Sequence, residues 1–538
     1  MEDIRVVVGI DFGTTNSGFA FAHKERPEES ETNSTWPGNK GIFKTPTALQ
    51  YDSKYEKVTA WGVKALVEFQ EDAESSDDDD NNQLSRPVEL FKLHLFNLKD
   101  EDKPWLPPEL DYKQAIKDYL TEIRKLVEER LSSRWSSVKF PNQVKIILTI
   151  PAEWPPHTTG IMRECAYKAG LLNILSSNNL EFTTEHSFCV VDCGGGTVDI
   201  TIRKLLEKNG LGEITERIGY PCGSTFVDKE FLKFIGEKVG MHALSNFKKN
   251  HYKQIQYLVQ RFFCHRIKFD FNGKQSEWKT IRLNLMNYCS NLQEYVTGDR
   301  KTEMENAGWI IKIDFTSVKE MFDPVVNKIL ELISEQLNAS KEECSAMFLV
   351  GGFAESAYLL NKVKEAFRFQ VKEICVPTLP ITAVIKGGLY YGLNINTVKT
   401  RVLKWTFGIE AAREWISGKD KKKRRSPDGL IYTFECLAKR GSQVDVNKPF
   451  SKIFHPVRAD QKTVAFKIYY TPSIGGKFCD DPGMKYIKTL HIDIPDVRLG
   501  FKRPINFELT FGQLECKASA YNNRTGQLYN TTYFDMQE

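Results

Sequence analysis

Two short segments constrain the fold of this chain more than any other feature of its sequence. Each consists of β-branched residues followed by an aspartate and then by glycines and threonine, and they span 6–16 (VVVGIDFGTTN) and 188–199 (FCVVDCGGGTVD). The apolar residues predict a buried strand, and the glycines let the backbone turn sharply with its N–H groups exposed. Because clustered amides bind phosphate oxygens, we predict a phosphate-binding loop at the end of each strand.

The repetition of the same parts in two halves of the chain predicts two related lobes that face one nucleotide. Either loop alone is also typical of a tight hairpin turn, whereas the pair favours phosphate binding. The aspartates at the strand ends, Asp11 and Asp192, repel phosphate. We therefore expect them to act through a hydrated Mg²⁺ or to orient the attacking water.

Length and charge indicate a multidomain protein without a signature for nucleic acid or a membrane span. The chain has 538 residues, which exceeds what one core usually holds. Its formal net charge of +4 gives no electrostatic case for nucleic acid, and no apolar run reaches the length of a membrane span. The basic run 419–425 (KDKKKRR) is interpreted as a solvated loop, with a nuclear signal or a polyanion-binding patch as the alternative.

The N-terminus and the cysteines indicate a cytoplasmic protein. Met1 leads almost directly into the first strand, without the charged, apolar and small-residue series of a signal peptide. The 11 cysteines include no CxxC pair, so we expect reduced thiols and neither a disulfide framework nor a zinc site. We expect the chain to be a cytoplasmic monomer, with the nucleus as an alternative compartment.

The spacing of apolar residues changes near residue 398. Before it, β-rich runs alternate with amphipathic helices such as 112–132, which predicts an α/β architecture with crossover connections. After it, apolar and polar residues alternate, which predicts an antiparallel β-sandwich with strands at 463–470, 487–494, 505–511 and 514–520. The acidic run 70–83 is too polar to bury and predicts a disordered loop.

The two loops resemble the phosphate motifs of the actin, hexokinase and heat shock protein 70 superfamily, and most of all those of the heat shock protein 70 family. Four further stretches match that family in register: 148–152 (LTIPA), the helix 163–171, 223–228 (GSTFVD) and 348–356 (FLVGGFAES). The segments 151–154 (PAEW) and 163–167 (RECAY) point to the divergent branch of the family that is similar to heat shock 70 kDa protein 12.

The resemblance implies a fold with two parts. The first is an α/β, two-lobed, actin-like (ribonuclease H-like) ATPase domain at 1–398, with lobe I at about 1–186 and lobe II at about 187–398. A linker at 399–405 leads to a mainly antiparallel, substrate-binding-like β-sandwich at 406–538, whose first strand contains 406–410 (TFGIE). We expect this β-sandwich to have no helical lid.

The resemblance also implies a site for ATP or ADP with Mg²⁺. Asp11 and Asp192 would hold the metal mostly through water, and the catalytic groups would be Asp11, Lys92, Glu185, Asp192 and Asp199. Residues that contact the nucleotide would be Gly13, Thr14, Thr15, Asn16, Gly194, Gly195, Gly196, Thr197, Gly223, Arg266, Lys268, Gly351, Gly352 and Phe353. Arg266 and Lys268, on a helix predicted at 254–268, would stack on adenine or bond ribose. For Lys92, an exposed helix lysine is the alternative interpretation.

Two departures from the family pattern bear on activity. Phe263 stands where the family usually places a carboxylate for the ribose. The stretch from Glu185 to Asp192 is too short for the helix that the family uses to couple lobe closure to hydrolysis, unless the short stretch is a gene-model or splicing artefact. The first departure bears on the affinity for adenine, and the second threatens the coupling of lobe closure to hydrolysis more than phosphate contact.

The sequence thus predicts an ATP-binding, chaperone-like protein that hydrolyses ATP slowly and binds an unfolded peptide or a protein client. A co-chaperone or a nucleotide exchange factor would be a further partner. Two alternatives stay open at this point. One is a nucleotide-sensing scaffold that binds ATP and a partner without turnover. The other is a sugar or acetate kinase of the same superfamily, which would not need the C-terminal β-sandwich.

Overall fold

The chain is mixed α/β with several separate sheets. The computed structural model describes residues 4–66, 85–96, 98–151, 154, 156–171, 186–206, 210–340, 342–394, 397–512 and 515–535. The acidic run 70–83 and Glu185, together with the residues just before 186, lie outside these ranges. Among the described helices, none is long and apolar enough to cross a membrane.

The main elements described in the first part of the chain are strands, most of them short, and two long helices. They are β1 (Val6–Asp11), β2 (Asn16–His23), β3 (Arg26–Thr32), β4 (Thr35–Trp36), β5 (Asn39–Lys40), β6 (Thr45–Pro46), β7 (Ala48–Tyr51), β8 (Val58–Trp61), β9 (Val88–Glu89), α1 (Tyr112–Arg134), β10 (Val144–Thr149) and α2 (Pro156–Lys168). The main sheet has the order β10-β1-β2-β3, with β6 also paired to β2. Strands β1 and β10 run parallel, which brings Asp11 opposite Thr149.

Helix α1 shows why the helical prediction for this region succeeds. The Asp111 side chain accepts a hydrogen bond from the backbone N–H of Lys113 and caps the first turn. Its apolar residues recur at helical spacing and are buried from Ala115 to Leu131. They pack into a hydrophobic core that also includes residues of β1 and β2.

The middle part alternates strands and helices, as the sequence predicts. It contains β11 (His186–Cys193), β12 (Val198–Leu205), β13 (Leu211–Glu213), β14 (Ile218–Tyr220), α3 (Thr225–Val239), α4 (Met241–Asn250), α5 (Tyr252–Tyr257), β15 (Ile281–Asn284), α6 (Asp299–Asn306), β16 (Ile310–Ile313), α7 (Phe315–Ala339), β17 (Ala346–Val350), α8 (Ala357–Phe367), β18 (Glu373–Cys375), α9 (Ala383–Leu393) and β19 (Val398–Val402). Residues 258–268 continue α5 as a π-helix, so the helix predicted at 254–268 is only partly α-helical.

The last part forms two four-stranded antiparallel sheets. Its strands are β20 (Thr406–Glu414), β21 (Leu430–Ala438), β22 (Gln443–Asp445), β23 (Pro449–Phe454), β24 (Thr463–Thr471), β25 (Lys485–Asp493), β26 (Ile505–Phe511), β27 (Glu515–Asn522) and β28 (Leu528–Asp535). One sheet has the order β21-β20-β24-β25 and the other β23-β26-β27-β28. Apolar residues from both sheets share one core, in which Phe466 and Phe507 lie 4.7 Å apart between ring centroids.

One sheet joins the middle and last parts of the chain. Its order is β18-β17-β11-β12-β13-β19-β22. Strand β19 runs parallel to β13 and antiparallel to β22. The segment 399–405, which we predicted as a linker, therefore contributes most of a strand, because its backbone groups pair on both sides.

Candidate functional site

A cavity of about 380 Å³ lies between the two glycine loops. Most of the residues that the sequence singled out line it: Asp11, Gly13, Thr14, Thr15, Asn16, Lys92, Asp192, Gly194, Gly195, Gly196, Thr197, Asp199, Gly351, Gly352 and Phe353. The volume lies within the range of small-molecule binding pockets. Residues that are distant in the sequence, in the first and middle parts of the chain, therefore line one site in the folded protein.

The sheets explain why these residues converge. Loop 12–15 follows the end of β1, which runs parallel to β10, and loop 194–197 follows the end of β11, which runs parallel to β17. Ligands in such sheets bind outside the carboxyl ends of the strands. Asp192 lies opposite Asp199 across the antiparallel pair β11 and β12, so the two carboxylates are neighbours on one face of the sheet.

The glycines of the second loop pack against the threonine side chains of the first loop. A Cβ atom placed on Gly195 would lie 2.1 Å from Thr15 Oγ1, and one on Gly196 would lie 2.6 Å from Thr14 Oγ1. Only glycine allows this approach. Carbonyl oxygens of the second loop accept backbone hydrogen bonds from the start of α3, as Thr225 N–H does to Gly195 O at 2.9 Å. The cavity side of the loop is therefore available to its backbone N–H groups.

The carboxylates of the cavity are crowded. Burial, followed by the charges of Asp199 and Asp11, raises the pKa of Asp192 to about 7, against the opposing effect of Lys44 and Lys92. Desolvation and like charges both disfavour the ionised form of a carboxylic acid. A divalent cation between these groups would remove that penalty.

Two lysines supply positive charge at the same place. Lys44 Nζ lies 2.5 Å from Asp11 Oδ2, and the pair is nearly buried. Lys92 Nζ donates a 2.5 Å hydrogen bond to the carbonyl oxygen of Phe12, at the start of the first loop. Lys92 is buried in a short 3₁₀ segment, so the alternative of an exposed helix lysine is wrong.

The third glycine segment closes the cavity at the end of β17. Gly351 has φ +84°, and a Cβ there would lie 2.5 Å from Asp192 Oδ1. Gly352, Phe353 and the exposed residue Glu355 follow in a 3₁₀ turn at the cavity wall. The turn therefore presents backbone, and not side chains, next to the carboxylates.

Four residues named by the sequence lie elsewhere or behave differently. Lys268 does not line the cavity, because its Nζ is buried in an ion pair with Asp228 at 2.8 Å. Arg266 is exposed and also lies outside the cavity lining. Gly223 does not line the cavity, but its N–H donates a 3.1 Å hydrogen bond to Gly196 O and so stabilises the second loop. Phe263 is buried and stacks on Phe231, with ring centroids 4.3 Å apart.

Two residues of the site escaped the sequence analysis as site residues. Lys44 follows no strand or glycine motif that would single it out. Thr149 donates a 3.2 Å hydrogen bond to Asp11 Oδ1. Thr149 could have been found, because it ends a strand parallel to β1 and so belongs to the same sheet edge as Asp11.

The residues present fit a nucleotide phosphate chain with a hydrated divalent cation. Among the described residues, no three acidic, histidine or cysteine side chains converge closely enough to hold a metal ion directly, so a cation here would be held mostly through its waters. Burial, followed by the charges of Asp199 and Asp11, raises the pKa of Asp192. Hard oxygen donors of this kind are the ligands that Mg²⁺ prefers, usually with several waters retained. Two glycine loops supply amides beside them.

Comparison with known proteins gives relatives over nearly the whole chain. Heat shock 70 kDa protein 12A of Homo sapiens is 23% identical over 98% of this chain and 91% of its own length. Heat shock 70 kDa protein 12B of Homo sapiens is also 23% identical, over 97% and 90%. The chaperone protein DnaK of Carsonella ruddii is 22% identical over 75% of this chain and 66% of its own length. Residues 183–375 match a domain of unknown function (DUF8340).

These relatives confirm the resemblance to the heat shock protein 70 family and to its 12A and 12B branch. They imply an actin-like ATPase fold, in keeping with the mixed α/β architecture and its many sheets. The chain is thus similar to a divergent group of heat shock protein 70-like proteins. Members of that family generally bind a nucleotide with Mg²⁺.

Proposed function

We propose that this chain is an ATP-binding, chaperone-like protein that hydrolyses ATP slowly with Mg²⁺ and couples the nucleotide state to the binding of a peptide or protein client. The observation that carries the proposal is the cavity between the two glycine loops, which is lined by Asp11 at the end of β1 and by Asp192 and Asp199 on the paired strands β11 and β12. Similarity to heat shock 70 kDa proteins 12A and 12B over nearly the whole chain supports it.

Each group of the cavity has a distinct role in this proposal. Asp11 and Asp192 would hold Mg²⁺ mostly through its waters, and Asp199 would orient the attacking water. The metal, when bound, supplies positive charge to the phosphate oxygens. Amides and hydroxyls of Thr14 and Thr197 hold the phosphate chain. The ammonium of Lys92, fixed on the Phe12 carbonyl, lies in the cavity wall and offsets charge that develops during phosphoryl transfer.

The domain division is part of the same proposal: two lobes at 1–186 and 187–398, and a client-binding unit from 406 onwards. The three largest hydrophobic cores support it, since they draw their buried residues from 6–171, 189–371 and 403–520. A smaller core joins Val7 of β1 to Leu389 of α9. The client would be captured by strand-like hydrogen bonds and an apolar pocket of the two-sheet unit. Strand β19 connects that unit to the sheet that carries the second loop.

Calorimetry of Mg·ATP and Mg·ADP binding, followed by single-turnover hydrolysis, tests the proposal. Asp11→Ala and Asp192→Ala should weaken Mg-dependent binding and lower hydrolysis by at least about a hundredfold, since each removes a group of the metal site. Asp460→Ala, at an exposed aspartate in the last part of the chain, is the matched control. It should match the unsubstituted protein in both measurements.

The outcomes separate the two leading functions. Loss of hydrolysis in the Asp11 and Asp192 variants, with the control intact, supports the ATPase. Tight Mg·ATP binding with a hydrolysis rate that no variant changes would instead establish the scaffold that binds ATP without turnover. The buried, stacked position of Phe263 favours that second function, because it places no ribose-binding carboxylate there. Absence of nucleotide binding would overturn both.

A further inference from the structure

The cavity between the loops reaches beyond the carboxylates to a cluster of arginines. Arg203 on β12 and Arg217 just before β14 both line it. Arg401 on β19 adjoins them, because the charges of Arg217 and Arg203 act directly on its guanidinium. We call these three residues the arginine cluster. None of the roles assigned above to the loops, the carboxylates or Lys92 uses it.

The arginine cluster contains more positive than negative charge. Glu213 is its carboxylate, and one oxygen, Oε1, serves both Arg203 at 3.4 Å and Arg217 at 3.5 Å. The other oxygen, Oε2, accepts a 3.1 Å hydrogen bond from the backbone N–H of Val402. Tyr391 also acts on Arg203 and Arg401. Within the described part of the chain, Glu213 is the one carboxylate at ion-pair distance from both Arg203 and Arg217.

Burial makes this excess charge expensive. Desolvation lowers the pKa of both Arg203 and Arg401, although arginine stays charged at any ordinary pH. Like charges in a partly desolvated site destabilise one another unless a counter-charge is present. The guanidinium groups of Arg203 and Arg217 each carry five N–H donors in a planar fork, more than their long contacts to Glu213 use.

One face of β12 connects the second glycine loop to the arginine cluster. Val198, Ile200 and Ile202 point into the core, so Asp199, Thr201 and Arg203 face the cavity. Arg203 lies about 13 Å from Asp199 along the strand, at ~3.3 Å per residue. Between them, the buried Thr201 Oγ1 has no hydrogen-bond partner within the described part of the chain.

We propose that Arg203 and Arg217 bind a small dianionic oxyanion, inorganic phosphate or a close analogue, at the far end of the cavity. Two guanidinium groups give planar donors for oxyanion recognition, the excess positive charge is neutralised, and Thr201 supplies a hydroxyl on the path from the loops. The proposal rests on the cavity and not on ATP hydrolysis. The anion can come from solvent or from a hydrolysis step in the same cavity.

Bound anion would also strengthen the attachment of β19. Glu213 accepts the Val402 N–H and serves two arginines at once. An anion bound to Arg203 and Arg217 would supply part of the negative charge that Glu213 supplies to them. Glu213 would then hold the Val402 N–H more firmly and balance more of the charge of Arg401. We therefore expect phosphate to slow amide exchange in β19.

Titration calorimetry of inorganic phosphate into the full-length, nucleotide-free protein, at constant ionic strength in chloride, tests the site. Saturable binding should weaken by at least about tenfold in Arg203→Gln and Arg217→Gln, because each loses charge-assisted bonds. Arg217→Lys should fall between, since it keeps the charge without the fork. Arg282→Gln, at an exposed arginine on β15, should stay within about twofold of the unsubstituted protein.

Thermal unfolding distinguishes a ligand site from a purely structural ion pair. Phosphate should raise the melting temperature of the unsubstituted protein by mass action and leave that of Arg217→Gln unchanged. Without phosphate, Arg217→Gln should melt no lower than the unsubstituted protein, because it removes a like charge beside Arg401. A melting temperature lowered equally with and without phosphate would assign Arg217 to structure alone and overturn the proposal.

Two further results would contradict the site. They are no saturable phosphate binding and binding that survives both arginine substitutions. In a separate arm, Mg·ATP is supplied and phosphate release is followed with a fluorescent phosphate sensor. If ATP is hydrolysed, Arg217→Gln should change the rate of release relative to cleavage. If it is not hydrolysed, the proposed ATPase fails while the calorimetric result still decides the phosphate site.

Discussion

At the scale of single residues, the site is governed by the balance between three carboxylates and two ammonium groups. Lys44 neutralises Asp11 directly, at 2.5 Å, whereas Asp192 has no cation at such a distance among the described residues. The pKa of Asp192 is raised to about 7 by burial and by its acidic neighbours. The two residues therefore respond to metal in different ways.

Lys44→Met should destabilise the metal-free protein by about 3 kcal/mol, because it leaves Asp11 buried without its cation. Excess Mg²⁺ should restore more stability to this variant than to the unsubstituted protein, since the metal replaces the missing charge. Denaturant unfolding with EDTA and with Mg²⁺ measures both effects. Lys279→Met, at an exposed lysine, is the control. Equal losses in the two variants, or no extra rescue by Mg²⁺, would contradict the assignment.

Asp192 should make the metal-free protein less stable as the pH rises. The folded protein keeps its proton up to about pH 7, whereas the unfolded chain releases it near 3.8. The stability that this group contributes is thus complete below about pH 4 and is lost as the pH rises through 7. Relative to the unsubstituted protein, Asp192→Asn should gain about 2 to 3 kcal/mol between pH 5 and pH 8.

Unfolding in EDTA across this pH range measures the difference, and Asp460→Asn serves as the exposed control. A gain that is the same at pH 5 and pH 8 would show that the carboxyl of Asp192 does not titrate in this window. Mg²⁺ should reverse the sign of the effect, because the ionised carboxylate then has a counter-charge.

At the scale of elements, the position of helix α9 against the first sheet depends on glycine. A Cβ on Gly9 of β1 would lie 2.4 Å from the backbone nitrogen of Leu389. A Cβ on Gly392 would lie 2.6 Å from Ile147 Cγ1 and from Val7 Cγ1. Helix and sheet therefore approach more closely than side chains allow, and the first glycine loop begins at the end of the same strand.

Two glycines of α9 should respond to alanine with opposite signs. Gly392→Ala should cost about 1 to 3 kcal/mol, because the methyl group overpacks the contact with β1 and β10. Gly387→Ala, exposed on the same helix with no atom within 4 Å of its Cβ, should stabilise by about 0.5 to 1 kcal/mol through the helix preference of alanine. Denaturant midpoints of the two variants measure this. A stabilising effect of Gly392→Ala would refute the close contact.

At the scale of the whole molecule, the last part of the chain is joined to the middle part through the strands β13, β19 and β22, which we call the seam. Strand β19 lies between β13 and β22, and Gln443 Nε2 donates a 3.0 Å hydrogen bond to Glu213 O. Beside it, Arg440 forms a two-pronged ion pair with Glu216, at 3.2 Å and 3.0 Å from Nη2. These contacts link the last part of the chain, through β22, to the sheet that carries the second glycine loop.

The Arg440–Glu216 pair should affect the seam and not global stability. Because both side chains are partly exposed, Arg440→Gln and Glu216→Gln should each cost less than about 1 kcal/mol in unfolding. Hydrogen exchange should nevertheless speed up in β19 and β22, and the double variant should exchange no faster than either single one. Lys448→Gln, which removes an exposed ion pair with Asp445, should leave exchange in β19 unchanged. Unchanged exchange in all variants would mean that the pair does not hold the seam.

Local patterns determined the elements on which the site depends. Alternation of apolar residues and the glycines after Asp11 and Asp192 act within a few residues of chain, so strand, turn and carboxylate could all be predicted there. The strand spans 505–511 and the helix starting at 112 were predicted at their observed positions for the same reason. Burial along one face produces a periodic pattern that needs no knowledge of distant partners.

By itself, then, the sequence determined the strand ends, the glycine loops, the change to antiparallel strands after 398 and the resemblance to a known family. Only the tertiary structure decided which side chains contact these elements. Lys44 on Asp11 and Lys268 on Asp228 are long-range pairings. No local signal records them, because the energy of an ion pair depends on distance and burial in the folded chain. Strand β19 likewise became a strand only when β13 and β22 supplied hydrogen-bond partners.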